Sequence, residues 1–289
     1  MGNGIGGRVP ALASVSMIDL SVEAEAFGAA LQLFDDEVPA VTGALVTNMP
    51  EAEMLKIPPV GAGRTGVYVD AVKKACVCIQ DRPIFAGVIG PFSLAGQLMD
   101  VAEAMVNCYT ELEMVHCVLE KATAFLIQYV EAYKKSRRKR RCYGGAVGGA
   151  VAAGACSEIF KSICAGNRAK TQDTDFLVIY HNCGNNAIQM IDSILETGCG
   201  AYHFGNAVSM REMLGCIPQD IIVMGNVDPA VQFRNGTPES VKKETKRILR
   251  ECAAYPNFVI SSGCDIPPQS PWENIDAFFA VVEEFYAEQ

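Results

Sequence analysis

No stretch of about 20 apolar residues occurs anywhere in the 289-residue chain, so no segment is long enough to cross a bilayer as a helix. The start, Met1 to Pro10, is rich in glycine and lacks the basic-then-apolar order of a secretory signal. Positive charge is scarce. Lys and Arg number 24 against 33 Asp and Glu, a net charge of −9, which excludes nucleic acid as the default partner. The close cysteine spacing of a disulfide framework is also absent, because the 12 cysteines are scattered along the chain. With no export signal, a reducing cytoplasm is the expected location. Cys76, Cys78, Cys108, Cys117, Cys199, Cys216 and Cys252 sit among apolar neighbours and read as small buried hydrophobes.

What is present is hydrophobic. Half of the residues are apolar, enough for one large core, and a single domain over 1–289 is expected. Short apolar runs alternate with helical periodicity. Ile84–Ile89, Asp175–Tyr180, Ala201–Phe204, Ile221–Met224 and Asn257–Ile260 read as buried strands. Val101–Tyr133, Ala187–Glu196, Ser209–Cys216, Pro238–Ala253 and Pro271–Glu284 read as helices, the first as one or two. Near-continuous apolar strands separated by helices imply a parallel sheet, and strand ends that carry polar residues imply a β/α barrel with its chemistry at one face.

Three of those strand-end residues are metal-ligand types. His181 and Cys183 stand two apart, and Cys264 follows 81 positions after Cys183. One imidazole and two thiolates suit a tetrahedral zinc ion, and three protein ligands leave a position open for chemistry. A closed structural site would show a fourth Cys or His at short spacing, and none is evident. The plainer reading is that these residues are simply buried. His203, Asn206, Asn226 and Asp228 share the strand-end address. His203 reads as lining the pocket, whereas a strand-end Asn or Asp serves equally as a helix cap or turn stiffener.

One segment does not fit. Seven of the eight residues from Lys134 to Arg141 are basic, and a Gly/Ala-rich tract follows from Gly144 to Gly154. An exposed loop with a flexible linker accounts for it, and a localisation or nucleic-acid patch is a further reading. A third starts from permitted codons. Shifted by one base, Ser136–Gly145 back-translates to a hydrophobic strand entering an acidic loop, and Ile159–Ala165 to a helix-like segment. Residues 136–171 are therefore expected to be translated out of frame, with the frame restored before Asp173.

The motifs Gly90-Pro-Phe-Ser-Leu-Ala-Gly96, His181-Asn-Cys-Gly-Asn185, His203-Phe-Gly-Asn206, Gly225-Asn-Val-Asp-Pro229 and Ser262-Gly-Cys-Asp265 together resemble the uroporphyrinogen decarboxylase superfamily. Within it they resemble the corrinoid-dependent methylcobamide:coenzyme M methyltransferases. The resemblance runs from about Asp19 to Tyr286. It implies an α/β fold, a TIM-type (β/α)8 barrel, incomplete at the N-terminus and irregular around 136–171. The first strand and helix, expected before Ser21, are short or missing. It implies zinc held by His181, Cys183 and Cys264, with His203, Asn226 and Asp228 orienting the acceptor or the ligands. The implied activity is transfer of a methyl group from a methylcorrinoid, carried on a separate corrinoid protein, to a zinc-activated thiol such as coenzyme M. The alternatives are uroporphyrinogen decarboxylation and a degenerate, non-catalytic barrel. The decarboxylase substrate carries many carboxylates and calls for arginines, yet only Arg8, Arg64 and Arg82 precede the basic run.

Overall fold

The computed structural model describes residues 8–35, 38–136, 172–173 and 176–288. The segment read as out of frame lies outside the described residues from 137 to 171. Its first residue, Ser136, closes a helix.

Apolar runs form parallel strands, and periodic runs form helices over them. Strand β1 (Ser14–Val15) leads into helix α1 (Val22–Phe27). An antiparallel pair, β2 (Leu31–Gln32) and β3 (Ala40–Val41), precedes α2 (Met49–Met54) and α3 (Thr65–Cys78). Strand β4 (Ile84–Phe85) then pairs in parallel with β1. The expected early strand is therefore present but two residues long. Helix α4 (Pro91–Met99) begins at Pro91, where a missing N–H costs nothing.

The periodic stretch from Val101 resolves into two helices, α5 (Val101–Thr110) and α6 (Leu112–Ser136). Asp100 caps α5, its carboxylate accepting from Ala102 N–H at 2.9 Å. In α6, Val115, Val118, Leu119, Ala122, Phe125, Leu126, Tyr129, Val130 and Tyr133 are buried. Their alternating three- and four-residue steps trace one face of a helix, and that face anchors the core of the N-terminal half.

The C-terminal half is a regular β/α run. Strand β5 (Ile179–Asn182), α7 (Ile191–Glu196), β6 (Ala201–Phe204), α8 (Met210–Cys216), β7 (Ile222–Val227), a π-helical turn (Pro229–Arg234), α9 (Pro238–Cys252), β8 (Phe258–Ser262) and α10 (Trp272–Ala287) follow in order. The four strands form one parallel sheet in sequence order. A second core, including Tyr202, Phe204, Met213, Leu214, Phe233, Leu249 and Phe278, fills the space between sheet and helices. Helix α9 starts with a reciprocal cap. Thr237 N–H donates to Ser240 Oγ at 2.9 Å, and Ser240 N–H donates to Thr237 Oγ1 at 3.3 Å.

Several sequence expectations change: the strand read over Ile84–Ile89 covers only Ile84–Phe85, β5 begins at Ile179, and the helix read from Ala187 begins at Ile191. β5, β7 and β8 run two or three residues past the ends of the apolar runs, because backbone pairing is indifferent to side-chain polarity. Of the cysteines read as buried, Cys108 and Cys252 are; Cys76, Cys117 and Cys199 are half-buried, and Cys78 and Cys216, each the last residue of its helix, are exposed. Among the described residues, no helix is long and apolar enough to cross a membrane.

Candidate metal centre

His181 sits in the last turn of pleat of β5, and Cys183 is the first residue beyond that strand. The residue between them explains how they converge. Asn182 is buried, its Oδ1 accepts from Gly184 N–H at 2.8 Å, and its carbonyl accepts from Gly205 N–H at 2.9 Å. That side-chain turn fixes the backbone on either side of Cys183. Cys264 lies two residues past β8. The ligand atoms of His181, Cys183 and Cys264 all fall within 4.8 Å of one another, with Cys264 Sγ 3.7 Å from His181 Nε2. Ligands about 2.0–2.3 Å from a tetrahedral ion stand roughly 3.3–3.8 Å apart, so a small contraction of this trio suits zinc.

Glycine makes the approach possible. A Cβ on Gly205 would lie 2.7 Å from both Cα and Cβ of Cys183, and one on Gly263 would lie 2.7 Å from Asn206 N. The loops after β5, β6 and β8 therefore pack backbone to backbone around the thiols.

The thiols differ in acidity. Cys183 is lowered to about 6, chiefly by the hydrogen bond from Cys264. Cys264 is raised to about 12, chiefly by that same bond. The bond between them favours ionisation of one thiol and opposes ionisation of the other.

His203 is in β6, directly opposite His181 in the strand register. The two Nδ1 atoms are 2.7 Å apart, and the rings tilt at 43° with centroids separated by 4.7 Å. Its Nε2 lies 2.8 Å from Ser261 Oγ and 2.9 Å from the Ser262 carbonyl oxygen. Burial and the adjacent His181 push its pKa down to about 4.

Asn226 and Asp228 sit differently. Asn226 is buried in β7, and its amide nitrogen donates to the carbonyls of Gly205 and Val208 at 2.9 and 2.8 Å. It ties down the loop after β6. Asp228 caps the π-helical turn, accepting from Ala230 and Val231 N–H at 2.9 and 2.8 Å, and its other oxygen accepts from Asn206 Nδ2 at 2.7 Å. Ser261, Ser262, Asn182 and Gly205 escaped the sequence reading as individual contributors. The Ser-Ser-Gly-Cys and His-Phe-Gly-Asn runs were the available signals.

A second polar cluster lies in the N-terminal half. Arg64 pairs with Asp19 and with Glu25 at 2.6 Å, and donates to Ser21 Oγ at 2.9 Å. Beside it, Glu23 is buried and accepts from Ile89 N–H at 3.1 Å. Burial pushes its carboxyl up to about 7.

Residues 10–285 match the uroporphyrinogen decarboxylase (URO-D) family model, and the chain belongs to that family. It is 27% identical over 265 residues to the methylcobamide:CoM methyltransferase MtbA of Methanosarcina acetivorans, across 89% of this chain and 75% of that protein. It is 24% identical over 289 residues to a uroporphyrinogen decarboxylase of Alcanivorax borkumensis, across 96% of this chain and 80% of that protein. A solved structure described as a methyltransferase from Methanosarcina mazei superposes with a TM-score of 0.83 at 22% identity, covering 97% of this chain and 82% of that one. The fold is the TIM-type barrel. In a barrel all strand ends face one mouth, which puts His181, Cys183, Cys264 and His203 there together.

Proposed function

We propose that this chain is a zinc-dependent methyltransferase that moves a methyl group from a methylated corrinoid to a small thiol, with coenzyme M the acceptor named for its relatives. The observation that carries the reading is the His181–Cys183–Cys264 cluster, whose donor atoms lie within 4.8 Å. Zinc bound there supplies a Lewis acid that keeps a coordinated thiol deprotonated near neutral pH.

The chain's own residues prepare that site. Cys183 and Cys264 are in hydrogen-bond contact, which favours one thiolate in the pair. His181 brings its Nε2 to 3.7 Å from Cys264 Sγ. His203 holds the His181 ring from the neighbouring strand. Asn226 and Asp228 fix the loops after β6 and β7, and through them the walls against which an acceptor thiol would be oriented. A separate corrinoid protein presents the methyl donor at the mouth.

The three arginines that precede the basic run are all engaged elsewhere, which speaks against their binding the carboxylate-rich decarboxylase substrate. Arg64 is spent on Asp19, Glu25 and Ser21. Arg82 pairs with Asp81 and donates to the Val9 and Ala11 carbonyls. Arg8 lies over Trp272 and pairs with Asp276. The test is loss of methylcobalamin with formation of methylated thiol on adding zinc-loaded protein and coenzyme M. Zinc-loaded, folded protein that leaves methylcobalamin intact contradicts the proposal, and release of carbon dioxide from uroporphyrinogen replaces it with the decarboxylase reading.

A further inference from the structure

Two imidazoles meet nitrogen to nitrogen, and a single hydrogen has to lie between them. His181 Nδ1 and His203 Nδ1 are 2.7 Å apart, so one donates and the other accepts. The far nitrogen of His203 decides which. Its Nε2 lies 2.9 Å from the Ser262 carbonyl oxygen, and a carbonyl only accepts, so Nε2 carries a hydrogen. Ser261 Oγ, 2.8 Å from the same nitrogen, turns its own hydrogen to that carbonyl at 3.0 Å and so presents a lone pair to Nε2. In a pair of neutral imidazoles, a His203 ring protonated at Nε2 is bare at Nδ1. His181 therefore donates from Nδ1 and keeps its lone pair at Nε2, the nitrogen 3.7 Å from Cys264 Sγ.

We propose that His203 is a positioning residue that sets the tautomer of His181, so that the Ser262 carbonyl at the end of β8 determines which imidazole nitrogen faces the metal. This rests on the reading of the trio as a metal site and adds to it the device that selects the donor atom. The fold delivers the parts separately. The β5–β6 register puts the two rings opposite each other, and β8, two strands away, supplies the acceptor that breaks the symmetry between their nitrogens. The opposite tautomer would aim a hydrogen, not a lone pair, at the ion. Partners of this kind are worth ~10–100-fold in metal affinity.

The test uses the full chain with ¹⁵N-labelled histidine and the metal removed. Long-range proton–nitrogen correlation should show His181 protonated at Nδ1 and His203 at Nε2. His203→Phe keeps a ring but no acceptor, and should weaken zinc binding ~10–100-fold in chelator competition. His203→Asn, whose Oδ1 restores an acceptor near the lost Nδ1, should recover most of that loss. His181 protonated at Nε2 in the metal-free wild type overturns the proposal, as does wild-type zinc affinity in His203→Phe. The tautomer measurement on wild-type protein stands even if a variant fails to fold. None of these readouts needs methyl transfer: the expected tautomer pair with no thiol methylation upholds the positioning role and counts against the proposed activity alone.

Discussion

Gly205 and Cys183 touch through their backbones, and a Cβ on Gly205 would lie 2.7 Å from Cys183 Cα and Cβ. The thiol's position is thus set by an absent side chain on the next strand's loop. Gly205→Ala should push the Cys183 loop away, costing roughly 1–3 kcal/mol of stability as overpacking does and lowering zinc affinity more than Gly215→Ala. At Gly215 the nearest atom is Tyr255 Oη at 3.8 Å. Thermal melts with zinc titration compare the two, and equal zinc affinity contradicts the packing argument.

Cys264 separates the metal reading from simple burial. Cys264→Ala should abolish stoichiometric zinc and thiol methylation together, because two ligands from β5 alone leave the ion open on two sides. Cys216→Ala, at an exposed helix end, should change neither. Full activity in Cys264→Ala would end the proposal.

Asn226 and Asp228 are predicted to differ in what they cost. Asn226→Ala leaves the carbonyls of Gly205 and Val208 without their donor, a loss of about 1–3 kcal/mol for each buried group left unsatisfied. Asp228→Ala removes a cap, typically about 1 kcal/mol. Denaturant midpoints should rank Asn226→Ala well below Asp228→Ala. The reverse order would assign the larger structural role to Asp228.

Glu23 makes stability fall with rising pH. Its pKa is raised to about 7 from an ordinary value of 4.5, so between those values the folded state binds more protons than the unfolded state. Stability is then fully present below 4.5 and is lost as pH rises through 7. Asp19, itself lowered mainly through its Ser21 and Arg64 hydrogen bonds despite burial, adds to the repulsion on Glu23. Glu23→Gln keeps an oxygen for Ile89 N–H. It should remove the decline and exceed wild type above pH 7 by on the order of 3 kcal/mol. An unchanged pH profile of unfolding would contradict the burial argument.

The strands and their polar ends were legible because period and punctuation are local. Ala201–Phe204 is both the apolar run and the observed strand, and Pro238 is both the expected and the observed start of α9. His181, Cys183 and Cys264 were legible as a set because few residue types bind zinc. What their neighbours do was not. The partner of His203 is 58 residues away and includes a backbone carbonyl, which has no sequence signature. Asn226 read as a residue that orients the acceptor or the ligands, and only the folded loop shows its amide nitrogen bonded to two backbone carbonyls. Glu23 gave no sign of burial, since one acid in the first turn of a short helix is ordinary at the surface and costly only where the barrel encloses it.

The most direct test is zinc content with zinc-edge X-ray absorption, recorded with and without coenzyme M. One zinc per chain with one nitrogen and two sulfur ligands from the protein, and a third sulfur on adding the thiol, is the predicted result. A chain that takes up no zinc, or a zinc shell unchanged by the thiol, would contradict thiol activation at His181, Cys183 and Cys264.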